Sequence, residues 1–152
     1  MQALSSHHQA IVHGFMELIP HNRDIGLTVL EFGENAVLAQ LPFREDFLGD
    51  LEQRLWHTSV ALSVMDSTCA LAVYGGLGQY EPIATLDLRV DHLRPAVADQ
   101  PLYVTASCYR LTPHIAFARG YTYQDDPDRP TSACTATFMR TGRPDADHPV
   151  DI

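Results

Sequence analysis

The chain has 152 residues and a formal net charge of −9, and all ten of its basic side chains are arginines. This length suits one domain with a sizeable core. The acidic balance argues against general binding to nucleic acid or to anionic membrane surfaces, and the absence of lysine excludes a lysine Schiff base.

The first part of the chain predicts one helix and two short strands. Apolar residues recur at helical spacing over 3–19, and Pro20 is expected to end that helix. Strands are predicted over 26–32 and 36–42, with a turn at 33–35 between them. The segment 43–56 is polar and is expected to be irregular. No signal peptide is expected, because the N-terminus has no basic start and no continuous apolar run.

A central helix is predicted over 58–74, and the pair Gly75-Gly76 is expected to end it. Small and apolar residues occupy most of this helix, which predicts burial on most of its faces. No stretch is expected to reach the ~20 apolar residues that a membrane span needs.

The three cysteines, Cys69, Cys108 and Cys134, form no CxxC pair and lie among apolar or small residues. Free cysteine in such surroundings behaves as a small hydrophobic residue, so the three are predicted to be inert core thiols. This usage favours a reducing, cytoplasmic setting.

Four more strands are predicted over 82–93, 102–111, 115–124 and 132–140. In the first of them, apolar and polar residues alternate, which is typical of a strand with one packed face. Short turns favour consecutive antiparallel strands. The order of helix, two strands, buried helix and four strands favours an α+β fold whose antiparallel sheet wraps one long helix.

A histidine and an aspartate lie nine residues apart on the predicted central helix, His57 at its start and Asp66 in its apolar middle. A carboxylate in apolar surroundings is costly unless it is paired or has a function. Nine residues rise about 13.5 Å along a helix, at about 1.5 Å per residue. The two side chains therefore cannot meet within one chain, and two chains must supply them if they act together.

The segment His57-Thr58-Ser59 followed by Asp66 resembles the His-Gly-Gly…Asp/Glu motif of PaaI-like hotdog-fold acyl-CoA thioesterases. The stretch 85–95, which ends in Leu-Arg-Pro, resembles the strand that follows the central helix in that family. The stretch 133–139 resembles the last strand. The resemblance covers about residues 25–140 of the chain.

The resemblance implies a hotdog fold, in which a curved antiparallel β-sheet wraps a long central helix. It implies a thioesterase domain over 25–141, with an N-terminal helix and lead-in over 1–24 and a disordered tail over 142–152. It also implies a homodimer, or a dimer of dimers, with active sites at the subunit interface. The expected substrate is an acyl-CoA thioester, with no cofactor beyond the coenzyme A of that substrate, no metal, and no nucleic-acid or membrane partner.

On this pattern, Asp66 is either the general base for water or the nucleophile that forms an anhydride, and His57 orients the site. The backbone N–H groups near Thr58 and Ser59 lie at the positive end of the helix dipole and are expected to stabilise the oxyanion. Most family members carry two glycines where this chain has Thr58 and Ser59.

Lesser candidates for substrate contact share positions near Asp66 or on the strand after the central helix: Ser67, Thr68, Thr85, Arg89 and Arg94. The two helical hydroxyls are expected to position water, or to bond their own backbone instead. The two arginines, together with Arg119, are expected to bind coenzyme A phosphates, because the guanidinium fork suits phosphate. For Arg89, a salt bridge to Asp87 or Asp91 on the polar face of the strand is an equal alternative.

Two other functions stay open. A non-catalytic acyl- or CoA-binding hotdog protein is favoured by the hydroxyl residues in place of the glycines. A hotdog hydratase or dehydratase is suggested by the offset between Asp87 and His92, although the Asn-Pro of that motif is missing. No G-x-S-x-G elbow supports a nucleophilic serine, and no His or Cys cluster has the spacing of a metal site.

Overall fold

The computed structural model describes residues 6–34 and 36–142. Its elements are three α-helices, one 3-10 helix and eight strands: α1 Ser6–Leu18, α2 Pro20–Ile25, β1 Thr28–Phe32, β2 Val37–Leu41, the 3-10 helix Glu45–Phe47, β3 Leu48–Asp50, β4 Leu55–Trp56, α3 Thr58–Leu77, β5 Ile83–His92, β6 Leu102–Leu111, β7 Ile115–Tyr123 and β8 Ser132–Arg140.

Six strands form one antiparallel sheet in the order β1-β2-β6-β7-β8-β5, which packs on α3. In β6, β7 and β8, inward-facing residues are buried while their neighbours on the strand face outward. In β5, for which the alternation was predicted, Leu88 and Val90 follow it, but Leu86 is 52% exposed because the register shifts between Thr85 and Asp87. The predicted α+β class with an antiparallel sheet around one long helix is confirmed. The predicted strands are confirmed to within two residues at each end.

The central helix extends beyond its predicted end, because α3 continues through Gly75 and Gly76 to Leu77. A side chain at Gly75 would collide with the carbonyl of Gly33, so this glycine allows the turn after β1 to approach the helix closely. The helix ends instead at Gly78, whose φ of 67° is the left-handed conformation of a C-cap. The expectation that Gly75-Gly76 stops the helix is wrong.

Helix α3 is 20 residues long and, by length and composition, apolar enough to cross a membrane. The expectation that no stretch reaches this length is therefore wrong. In the fold, 56% of the apolar window is buried by the sheet and the N-terminal helices. It is the core helix of the domain.

The N-terminal helix ends before Pro20, as predicted, but a second helix begins at that proline. Ile19 has an extended backbone with φ −117°, because the residue before a proline is disfavoured in the helical region. Pro20 then occupies the first turn of α2, where its missing N–H costs no hydrogen bond. The sequence analysis did not predict α2.

The expectation that the segment 43–56 is irregular is wrong. The segment contains a 3-10 helix and the two-stranded pair β3-β4. The Trp56 ring packs between Phe43 and Phe47, and its Nε1 donates a 2.8 Å hydrogen bond to the carbonyl of Val97. These contacts fix the chain just before α3. Parts of three predicted features lie outside the described residues. These parts are residues 1–5 at the start of the N-terminal helix and lead-in, Asn35 of the predicted turn, and 143–152 of the predicted disordered tail.

Candidate functional site

The N-terminus of α3 is built around the His57 ring. His57 is the N-cap residue, and its Nδ1 accepts a 3.1 Å hydrogen bond from the Ser59 N–H and lies 2.7 Å from Ser59 Oγ. The Val60 N–H donates to the His57 carbonyl. Of the two amides expected to stabilise an oxyanion, that of Ser59 is therefore engaged by His57, whereas Thr58 is too early in the helix for an intrahelical partner.

The backbone of the 3-10 helix and of β3 holds His57 in place. The His57 N–H donates a 2.7 Å hydrogen bond to the carbonyl of Phe47. A Cβ at Gly49 would lie 2.8 Å from the His57 Cα, so only glycine fits there without displacing the histidine.

A cleft of about 550 Å³ opens beside this helix end and is called the His57 cleft below. Its lining includes Asp50, His57, Thr58, His92 and Arg94. The Nε of Arg94 donates a 3.0 Å hydrogen bond to the carbonyl of Pro130. Of the residues predicted from the sequence, His57, Thr58 and Arg94 are thus brought together in one cleft, whereas Ser59 does not line it.

Asp66 lies in a second cleft of about 400 Å³, called the Asp66 cleft below, between α3, β5 and the N-terminal helices. Its half-buried carboxylate accepts a 2.9 Å hydrogen bond at Oδ1 from the Thr85 hydroxyl. A register shift between Thr85 and Asp87 in the β5–β8 pairing lies directly beside this contact. The bulge aims the Thr85 side chain at the helix instead of away from the sheet.

The other predicted hydroxyls have different surroundings. The Ser67 hydroxyl lines the Asp66 cleft but donates a 2.6 Å hydrogen bond to the Asn22 side chain of α2. Thr68 is 1% exposed and lines neither cleft, and its hydroxyl has no partner among the described residues. Arg89 also lines neither cleft, because it is exposed on β5 and pairs with Asp91 at 3.1 Å.

His21 of α2 lines the Asp66 cleft, a position in the candidate site that was not predicted from the sequence. His21 Nε2 and Ser63 Oγ share a 2.7 Å hydrogen bond. Ser63 lies three residues before Asp66, so its place on the same helix face could have been read from helical spacing. His21 carried no comparable signal, because its helix was not predicted.

Buried groups near Asp66 have shifted proton affinities. Cys69 and Cys134 are buried with their sulfurs 3.6 Å apart, and the hydrogen bond between them together with burial raises the pKa of the Cys69 thiol. Burial likewise raises the pKa of Tyr74, at the apolar end of the Asp66 cleft, to about 12. Residues 6–34 and 36–142 contain no group of three or more His, Cys, Asp or Glu arranged to hold a metal ion.

Chemically, the arrangement offers a helix N-terminus with an exposed histidine and, two and a half turns along the same helix, a hydrogen-bonded carboxylate. The two groups lie in separate clefts of one chain. A carboxylate of this kind can take a proton from water or attack a carbonyl, and the helix N-terminus can stabilise the negative oxygen that results.

Comparison with known proteins agrees with this geometry. Residues 54–131 match the family model of the thioesterase superfamily. The chain is 34% identical over 140 residues to the medium/long-chain acyl-CoA thioesterase YigI of Salmonella typhimurium, an alignment that covers 82% of this chain and 88% of that protein.

Solved structures share the fold. A Pseudomonas aeruginosa protein superposes with a TM-score of 0.79 at 34% identity, covering 88% of this chain and 98% of that one. The E. coli PaaI protein from the phenylacetic acid degradation operon superposes with a TM-score of 0.78 at 17% identity, covering 91% and 96% of the two chains. The chain belongs to the thioesterase superfamily, and its antiparallel sheet around one long helix is the PaaI-like hotdog fold.

Proposed function

We propose that the protein hydrolyses acyl-CoA thioesters to a free acid and coenzyme A. The observation that carries the proposal is the Asp66 carboxylate, which Thr85 holds by a 2.9 Å hydrogen bond in a largely apolar cleft. A fixed carboxylate beside apolar space suits a base or nucleophile that acts on an acyl group. The Salmonella typhimurium relative, named a medium/long-chain acyl-CoA thioesterase, supports the same chemistry.

In the proposed reaction, Asp66 removes a proton from water as the water oxygen attacks the thioester carbonyl. The Thr58 N–H and the dipole of α3, with Ser59 in the same turn, stabilise the oxyanion, and His57 orients the thioester. The C–S bond then breaks, and the coenzyme A thiolate leaves and takes up the proton that Asp66 had removed from water. If Asp66 attacks the carbonyl itself, an acyl–aspartyl anhydride forms first and water hydrolyses it.

The proposed site needs a second copy of the chain. Leu62, which is 46% exposed, lies five residues after His57 and four residues before Asp66. The two candidate residues are therefore at similar distances on either side of Leu62 along α3. Leu62 and Leu88 of β5 line the same cleft. A two-fold axis beside these two leucines would bring His57 of one subunit to Asp66 of the other and would pair the two β5 edge strands.

Charges on β5 support one register for this pairing. With Leu88 on the axis, antiparallel strands place Asp87 of one subunit opposite Arg89 of the other, which opposes unlike charges twice. A register centred on Arg89 would instead oppose two arginines. Arg89 is thus assigned to the dimer contact, and a dimer of dimers would leave these sites unchanged.

The coenzyme A portion of the substrate is assigned to the His57 cleft, where Arg94 offers a guanidinium to a phosphate. No cofactor beyond the substrate enters the proposed reaction. We place the enzyme in the cytoplasm, because its cysteines are free thiols and its long apolar helix α3 is a core helix.

The test is thiol release from a series of acyl- and aroyl-CoA esters by the wild type and by Asp66→Asn. We expect the variant to lose at least about 10²-fold in kcat, the usual contribution of a general base. Asp125→Asn is the matched control, because Asp125 is exposed and follows β7. No release from any ester, or full activity of Asp66→Asn, would contradict the proposal.

A non-catalytic binding protein is the second candidate, because the side chain of His57 engages the Ser59 amide, one of the two amides expected to stabilise the oxyanion. Isothermal titration with coenzyme A and with a non-hydrolysable thioether analogue separates the two candidates. Binding without turnover of any ester would favour the second.

A further inference from the structure

We infer that the N-terminal helices α1 and α2 close the far end of the acyl-chain subsite and limit the length of the acyl chain to about ten carbons. This inference rests on the proposed thioesterase function and names the substrate class for the same site. The helices involved precede the part of the chain that matches the thioesterase superfamily model, residues 54–131.

The polar residues of the Asp66 cleft surround the carboxylate: Asp66, Thr85, His21, Ser63 and Ser67. The remaining lining is apolar or aromatic and comprises Phe15, Ile19, Leu62, Ala70, Tyr74, Ile83, Leu88 and Phe138. Leu62 and Leu88 lie on the side of Asp66 that faces the proposed two-fold axis. An acyl chain whose carbonyl is held at Asp66 would therefore find most of the apolar lining in the opposite direction, which is the apolar end of the cleft.

That direction runs along α3 toward its C-terminus. Asp66, Ala70 and Tyr74 follow one another at intervals of four residues and therefore lie on one helix face. All three line the cleft. On the opposite side, β5 places Thr85 beside Asp66 and Ile83 farther along. Eight helical residues span about 12 Å. An extended chain advances about 1.2 Å per bond, to judge from the three backbone bonds of an extended residue, so this length holds about ten carbons.

Aromatic rings close the apolar end. The Phe15 ring of α1 meets the Tyr74 ring edge-on, with centroids 5.7 Å apart, and both side chains are buried. Edge-to-face ring pairs of this kind are rigid and favourable. A longer acyl chain would have to displace one of these two rings or fold back on itself.

The second helix is held over the cleft by two hydrogen bonds to one face of α3. His21 bonds Ser63 at 2.7 Å, and Asn22 accepts from Ser67 at 2.6 Å. Ser63 and Ser67 are one turn apart and lie on either side of Asp66 in the sequence. The α1–α2 unit is therefore fixed to the same helix that carries the carboxylate, which keeps the distance from Asp66 to Phe15 constant.

The experiment is a chain-length profile of kcat/KM, measured from butyryl- to palmitoyl-CoA below the micelle concentration of each ester. For the wild type we expect a rise up to about decanoyl-CoA and no gain beyond it. Ala70→Phe fills the middle of the cleft, so decanoyl-CoA should fall at least about tenfold relative to hexanoyl-CoA. Phe15→Ala opens the end, so palmitoyl-CoA should rise about tenfold relative to decanoyl-CoA.

Phe32→Ala is the matched control, because Phe32 is also buried but lines neither cleft. It should leave the profile unchanged although it removes the same volume from the core. Ala70 is half-buried, so the Ala70→Phe variant does not create a cavity in the core. If this variant loses activity equally at all chain lengths, the inference is overturned, even if Phe15→Ala fails to fold. Absence of turnover by the wild type on every ester would overturn the thioesterase proposal itself, which distinguishes the two failures.

Discussion

The Thr85 hydroxyl donates a 2.9 Å hydrogen bond to Oδ1 of Asp66, so the strand after the central helix fixes the carboxylate that the helix carries. The bond depends on the β-bulge that follows Thr85. In a regular strand, strict alternation from Leu88 and Val90 would place Thr85 on the face of the sheet away from α3, and the extra residue of the bulge reverses this. Because Asp66 also lines the cleft, the bond fixes the orientation of a carboxylate that a bound substrate can reach.

We expect Thr85→Val, which removes the hydroxyl but keeps the shape, to lower kcat/KM by about 10- to 100-fold. The reason is that a hydrogen bond to a charged group contributes about 1.5–3 kcal/mol. Thr85→Ser keeps the hydroxyl and should retain most activity. Steady-state kinetics on one acyl-CoA ester would check both variants, and equal activity of Val and Ser variants would show that the bond has no catalytic role.

Mixing of inactive subunits tests whether the site is shared. Asp66→Asn and His57→Ala homodimers should both be strongly impaired. After co-refolding at equal amounts, about half of the dimers are mixed, and each mixed dimer has one site with both native side chains if the two subunits contribute one residue each. We expect recovery of about one quarter of the wild-type activity. No recovery would mean that both residues of a site come from one chain.

Gly49 and Gly14 form a matched pair of glycine-to-alanine changes. Gly49→Ala places a Cβ 2.8 Å from the His57 Cα, so we expect it to displace the histidine, to reduce activity and to cost about 1–3 kcal/mol of stability. Gly14 lies within α1, and its added Cβ meets nothing within 4 Å. Gly14→Ala should therefore stabilise the protein by up to about 1 kcal/mol. Thermal unfolding and kinetics of the two variants would reveal the contrast, and equal effects would contradict it.

Tyr74 should make stability fall at alkaline pH. Its pKa is raised by burial from 10.0 to about 12, so the folded state holds the phenol proton more tightly than the unfolded state. The stabilisation is present below pH 10 and is lost as the pH rises toward 12, by up to about 2 kcal/mol. Urea unfolding at pH 9 and at pH 12, values set by those two pKa limits, would measure it.

Tyr74→Phe should show a smaller alkaline loss of stability than the wild type. Tyr109→Phe is the control, because Tyr109 is 52% exposed and is not among the groups that raise the pKa of Tyr74. The Tyr109 variant should behave as the wild type. An alkaline loss of equal size in wild type and Tyr74→Phe would refute the assignment to this phenol.

The sequence by itself determined the class of fold, and it predicted the two most prominent candidate site residues. Alternation of apolar and polar residues located β5 to β8, because burial of one sheet face imposes a period of two. The apolar composition of 58–74 located the central helix, because a helix surrounded by protein needs no polar face. The nine-residue interval between His57 and Asp66 placed them on one helix but beyond each other's reach.

Only the tertiary structure decided which side chains accompany those two residues. Helix α2 was missed because Pro20 ends one helix and begins another, and local sequence does not distinguish these two roles. His21 entered the Asp66 cleft as a consequence. Gly75 looked like a helix end, yet it allows the turn at Gly33 to approach, a contact 42 residues away in the sequence. Periodicity reports which face of an element is buried, whereas the partner on that face is set by packing between distant segments, which no local pattern encodes.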